Sequence, residues 1–172
     1  MKFKDIPQFT HEGTYQVNME WKYFVDWIQA NIQEDELELN PDFQRGHVWT
    51  EEQQIAYIEF RLRGGKSGRI VYLNHPGWMG NFQGDFVCVD GLQRITAVRR
   101  FINNEIKVFG HYYREFEDRL PSDADFIVNI NNLKTKKEVL QWYIEMNQGG
   151  TPHSKDEIDK VKQLLAQETN KN

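Results

Sequence analysis

Asp90-Gly91-Leu92-Gln93-Arg94 places a carboxylate, a glycine, an amide and a guanidinium within five consecutive positions, directly after the apolar run Phe86-Val87-Cys88-Val89. A strand that turns abruptly into a helix exposes the helix's first backbone N–H groups and its positive dipole end. Gly91 lacks a Cβ, so an anion can approach the backbone. Arg94, in the first turn, adds a forked donor suited to phosphate. A hydrogen bond to a charged group contributes ~1.5–3 kcal/mol and the dipole ~0.3–1 kcal/mol, so the guanidinium would outweigh the dipole. The same residues also fit an ordinary helix start, in which Asp90 caps and Gln93 reaches back as the other half of a capping box. That plainer reading needs neither Gly91 nor Arg94. Both stay open on sequence alone.

Two further stretches carry polar groups in irregular contexts. In Asn40-Pro41-Asp42-Phe43-Gln44-Arg45, Pro41 fixes its own φ and extends Asn40, so Gln44 and Arg45 project from a loop. Taken alone, this could be a surface loop with a solvated arginine. In Met146-Asn147-Gln148-Gly149-Gly150-Thr151-Pro152, paired glycines can bring backbone amides close to a ligand, or can simply end a helix. Gly65-Lys66-Ser67 invites comparison with a phosphate-binding P-loop, but the first glycine of that pattern would fall on Phe60, and the expected helix precedes the motif instead of following it. It is not a P-loop. The histidines are scattered, no Gly-x-Ser-x-Gly elbow occurs, and the single cysteine, Cys88, reads as a small buried hydrophobe. Zinc, disulfide and acyl-transfer chemistry are therefore not expected.

The elements that must position these groups follow from apolar periodicity. Trp21, Phe24, Val25, Ile28 and Ile32 predict a helix over residues 19–32. Residues 37–39 alternate like a short strand. Thr50-Glu51-Glu52-Gln53 fits a capping box that opens a second helix, with Ile55, Ile58 and Leu62 as its apolar stripe and Gly64-Gly65 as its stop. Residues 69–73 and 85–89 are β-branched runs separated by a Gly- and Asn-rich loop. Leu92, Ile95, Val98 and Ile102 mark the helix after Gly91. Strands are expected at 105–109 and 126–130, and helices at 136–146 and 154–167. Residues 1–18 read as a lead-in, 19–158 as the domain, and 159–172 as a helix end and frayed tail. The fold class is α+β, a small mixed sheet flanked by helices.

With 172 residues the chain can bury a sizeable core, typically ~70% of its unfolded surface. Acidic residues outnumber basic ones 26 to 21, for a formal charge of −5. Strong non-specific duplex binding needs clustered Lys and Arg, so this balance argues against it. No signal peptide or run of 18 apolar residues is present, and a soluble cytoplasmic protein is expected.

Three ordered stretches together resemble the N-terminal domain of GmrSD-type modification-dependent restriction endonucleases, within the wider ParB-like nuclease superfamily. They are Asn40-Pro-Asp-Phe-Gln-Arg45 with Trp49 after it, Phe86-Val-Cys-Val-Asp-Gly-Leu-Gln-Arg94 with Ile95-Thr96-Ala97, and Asn147-Gln-Gly-Gly-Thr-Pro152. The similarity spans residues 37–158. It departs from the family's Asp-Gly-Gln-Gln-Arg form at Leu92, a replacement that bears on hydrolysis more than on binding. The resemblance implies a ParB/sulfiredoxin-like core and an NTP site with Asp90, Gln93 and Arg94 as active residues. Gln44, Arg45, Gly91, Asn147, Gly149 and Gly150 are then further nucleotide contacts, and Asp90 would meet Mg²⁺ brought by the nucleotide. It implies work in a restriction, anti-restriction or phage DNA transaction, with a partner nuclease doing the cutting. No membrane partner is expected. Two other readings stay open. One is a ParB-like DNA-nicking nuclease, against which the acidic charge and the lack of a carboxylate cluster around Asp90 weigh. The other is a non-catalytic module whose nucleotide or protein ligand sets its conformation.

Overall fold

The computed structural model describes residues 1–8, 15–34, 37–44, 46, 48–148 and 155–170. Four strands form one mixed sheet in the order β1-β4-β2-β3. They are β1 (Tyr15–Glu20), β2 (Ile70–Asn74), β3 (Val87–Asp90) and β4 (Asp125–Asn131). β4 pairs antiparallel with β1, with Tyr15 opposite Ile130, and parallel with β2, with Ile70 opposite Ile127. β3 pairs antiparallel with β2. The α+β expectation is borne out.

Side chains alternate across this sheet, and each face meets its own helix layer. Val71, Leu73, Cys88, Phe126, Val128 and Ile130 face α1 (Trp21–Glu34), α2 (Glu51–Leu62) and α3 (Leu92–Ile102) in the larger core. Val89, with Tyr72 and Val87 against it, joins Leu133, Leu140, Tyr143 and Val161 in a second core under α4 (Lys136–Gln148) and α5 (Lys155–Thr169). β3 is thus covered on both sides just before it delivers Asp90.

Several expectations are corrected. Residues 15–18 are not lead-in: with Met19 and Glu20 they make strand β1, and α1 begins at Trp21 rather than at Met19. Tyr15, Val17 and Met19 alternate with polar residues, the period of a strand with one covered face. Residues 37–39 form no strand; Glu38 makes a single parallel bridge to Val87. Residues 105–109 form none either. Val108 and His111 bond each other across a tight turn in which Phe109 and Gly110 both take positive φ. The capping box at Thr50 forms as its spacing predicts, with Thr50 Oγ1 accepting from the Gln53 N–H and Gln53 Oε1 from the Thr50 N–H. No helix among the described residues is long and apolar enough to cross a membrane.

Candidate functional site

The site is built at the end of β3. Asp90 pairs with Tyr72 and Cys88 with Leu73, so Val89 is an extra residue, and the ladder shifts register just before the strand ends. Such a bulge adds twist and re-aims the residue that follows. Gly91 then takes φ +129° and ψ −3° and serves as the N-cap of α3. A Cβ here would lie 2.7 Å from Val71 Cγ1. Glycine is therefore required by the turn and by close packing on β2, before any ligand is considered.

No side chain caps α3. Asp90 instead accepts from Arg94, Oδ2 to Nη2 at 2.7 Å, across the turn. The Arg94 side chain is 22% exposed, so it is pinned rather than free in solvent. Arg94 Nε is buried and has no hydrogen-bond partner. An uncapped helix start thus lies beside a partly exposed arginine held by a single carboxylate contact. That combination suits an oxyanion.

Gln93 does not turn back on its own helix as a capping box requires. Its Nε2 donates to the Gly46 carbonyl at 2.8 Å, and its Oε1 accepts from the Val48 and Trp49 N–H groups, each at 3.0 Å. Gln44, from the same loop, donates through its amide to the Cys88 carbonyl of β3. Lys136 of α4 holds Asp42 at 2.6 Å. Phe43 packs edge-on against Tyr143 of α4, with ring centroids 5.4 Å apart. One turn beyond, Asn147 Nδ2 donates to the Tyr143 carbonyl at 2.7 Å. The structure therefore brings Asp90, Gly91, Gln93, Arg94 and the loop bearing Gln44 together. Asn147 stands at the C-terminal end of the helix that this loop packs on. Arg45, Gly149 and Gly150 lie outside the described residues.

Two neighbours of Arg94, Tyr57 and Gly68, belong to none of the sequence motifs. Tyr57 of α2 packs against Trp49, with centroids 5.5 Å apart, and its hydroxyl donates to the Gly68 carbonyl at 2.7 Å. A Cβ on Gly68 (φ +70°) would sit 3.1 Å from the Tyr57 ring and 3.6 Å from Arg94 Cδ. Residues 65–67, which form no P-loop, do lie between helix α2 and strand β2, the reverse of that motif. The Gly68 turn that follows them nevertheless passes beside Arg94. Only the glycines signal this; the contact itself is long-range.

Burial pushes the Tyr57 hydroxyl up to about 12, with the Arg94 and Arg61 charges opposing the rise. It also pushes the Cys88 thiol up to about 12, reinforced by the Asp90 charge. A thiol so held is not a nucleophile. Among the described residues no group of three or more His, Cys, Asp or Glu side chains could hold a metal ion. Asp90 is a lone carboxylate already shared with Arg94, so a divalent cation here would draw most of its ligands from phosphate oxygens and water.

Two concavities lie elsewhere. A cleft of about 420 Å³ runs between residues 41–43 and the start of α4, lined by Asp42, Asp85, Lys134 and Lys136. A more apolar groove of about 250 Å³ lies among Leu62, Phe101, Phe109 and Phe116.

The family model described as GmrSD restriction endonuclease, N-terminal domain, matches residues 26–137. That range contains the Asn40–Arg45 and Asp90–Arg94 motifs and stops short of Asn147. No curated protein and no solved structure matches the chain.

Proposed function

The chain belongs to the GmrSD restriction endonuclease N-terminal domain family, and from that premise we propose that it binds a nucleoside triphosphate at the β3–α3 junction in a restriction system whose cutting is done by a nuclease partner. The observation that carries this reading is the uncapped start of α3 beside Arg94, whose partly exposed side chain is oriented by Asp90 through Nη2. Phosphate oxygens entering here would meet backbone N–H groups, the helix dipole and a pre-oriented guanidinium. Asp90 holds that guanidinium in place and would be the one carboxylate of this motif to meet Mg²⁺ arriving on the nucleotide. Mg²⁺ would neutralise phosphate charge in the usual way. Gln44, Arg45, Asn147, Gly149 and Gly150 would be further contacts.

A second reading, binding without turnover, is favoured by one observation. The Gln93 amide oxygen already accepts from two backbone N–H groups of the 46–49 loop, and Leu92 is a buried apolar side chain, so neither offers an acceptor to an attacking water. Under this reading the nucleotide sets conformation and is hydrolysed slowly or not at all.

The experiment is nucleotide titration with ATP, GTP, CTP and UTP, each with and without Mg²⁺, on wild type and Arg94→Ala, followed by phosphate release and supercoiled-plasmid nicking. The proposal expects one or more triphosphates to bind, Arg94→Ala to weaken binding roughly 10- to 100-fold, and no metal-dependent nicking. Equal, weak binding of every nucleotide by both proteins sinks it. Release of phosphate by wild type decides for hydrolysis over the second reading.

A further inference from the structure

Gln93 sits in the motif next to the arginine assigned to phosphate, yet its side chain points away into the residue 46–49 loop, where its acceptor oxygen is saturated and one amide hydrogen is bound. The acceptor Oε1 takes two backbone N–H groups and one amide hydrogen goes to a carbonyl. The consequences run onward through described contacts. Gln93 fixes the Trp49 backbone, the Trp49 ring rests on Tyr57, and Tyr57 bonds the Gly68 carbonyl. The Gly68 turn in turn lies against the aliphatic stem of Arg94. The path starts at one residue of α3 and returns to the next.

We infer that Gln93 is a positioning residue: it holds Trp49 and Tyr57 as the wall against which Arg94 is aimed, and acts on a bound triphosphate only through that wall. This rests on the reading of the junction as a nucleotide site. An arginine has several rotatable bonds, and its affinity for an anion depends on how many of them are fixed before binding. The Asp90 contact restrains the guanidinium from one side. The Tyr57–Gly68 wall restrains the stem from the other.

The test is a double-mutant cycle in triphosphate affinity, using whichever of ATP, GTP, CTP or UTP wild type binds most tightly, with Gln93→Ala, Trp49→Leu and the double variant. Acting through one wall, each single change weakens binding about tenfold, and the double variant is no weaker than the worse single. Fold-losses that multiply would place Gln93 in direct contact with the ligand and overturn the inference, as would unchanged affinity in Gln93→Ala. Should Gln93→Ala fail to fold, Gln93→Glu takes its place in the cycle. Its carboxylate keeps both acceptors, and on protonation regains a donor for Gly46. Affinity relative to wild type is then lowered at pH 7.5 and recovers toward pH 5, and a flat ratio overturns the inference. If wild type binds no triphosphate, this inference and the proposed function fall together. If wild type binds and the cycle is additive, only this inference falls.

Discussion

The chemistry of single residues near the junction is governed by what surrounds them. Cys88 is fully buried in β3, and Tyr57 feels the Arg94 and Arg61 charges with its hydroxyl on a carbonyl. Both protonated forms are favoured by the fold. Each group therefore contributes stability that is complete below its unfolded pKa and lost as pH rises toward the folded value. For Cys88 that window runs from 9.0 to about 12, and for Tyr57 from 10.0 to about 12. Unfolding free energy measured in urea should therefore begin to fall near pH 9. Cys88→Ala should be less stable at neutral pH through the lost packing, yet show no decline until about pH 10, and Tyr57→Phe should make the fall above pH 10 shallower without abolishing it. A Cys88→Ala curve parallel to wild type between pH 9 and 10 would mean that the thiol is not desolvated. Of these two residues the sequence showed only Cys88, because an apolar run around a lone cysteine is a local pattern. Tyr57 matters through Gly68 and Arg94, and no spacing within α2 encodes that.

At the scale of elements, the decisive feature is the turn from β3 into α3. Gly91 combines a φ of +129° with a site where any Cβ would collide with Val71. A positive-φ conformation in a residue other than glycine costs of order 1–3 kcal/mol, and overpacking a similar amount. Gly91→Ala should lose roughly 2–5 kcal/mol of stability in urea titration. Adding Val71→Ala should restore the part due to the clash and leave the part due to strain, which a double-mutant cycle separates. An unchanged midpoint for Gly91→Ala would refute the packing argument and return the glycine to anion approach alone.

The same scale shows why one capping box was legible and another was not. Thr50 and Gln53 satisfy each other within a turn, so spacing suffices to find them. Asp90 and Gln93 have equivalent spacing, but each found a stronger partner: Arg94 for the carboxylate, and three loop groups for the amide. Strand β1 failed to register for the opposite reason. Its alternation was present, but the helical spacing that begins at Met19 absorbed its last residues. Residues 37–39 alternate as well, yet only Glu38 finds an open place beside Val87.

At the scale of the whole molecule, the helix that carries Tyr57 is itself fixed by a buried ion cluster across the sheet. Arg61 stands one turn after Tyr57 on α2 and is 2% exposed. Its Nη2 reaches the Asp123 and Asp125 carbonyls and, at 3.4 Å, the Asp125 carboxylate. Arg69, at the entry to β2, grips the same carboxylate through two nitrogens, at 2.9 and 2.6 Å, and that hydrogen-bonded pairing raises the guanidinium above its ordinary value. One carboxylate at the start of β4 thus compensates two arginines and ties α2, β2 and β4 together. Asp125→Asn keeps the shape but removes the carboxylate that both guanidiniums share, and breaking such a buried pairing costs about 3–5 kcal/mol. Against a typical total of about 5–15 kcal/mol, that is a large share of the whole. The expected result is a marked fall in the urea midpoint. Triphosphate affinity, measured well below the unfolding temperature, should stay within about threefold of wild type, because Tyr57 keeps its own contacts to Gly68 and Trp49 and the polar contacts of Gln93, Asp90 and Arg94 do not pass through Asp125. A stable Asp125→Asn protein that has lost nucleotide binding would mean that the sheet cluster sets the orientation of Arg94, and that the wall formed by Trp49 and Tyr57 is not sufficient to do so.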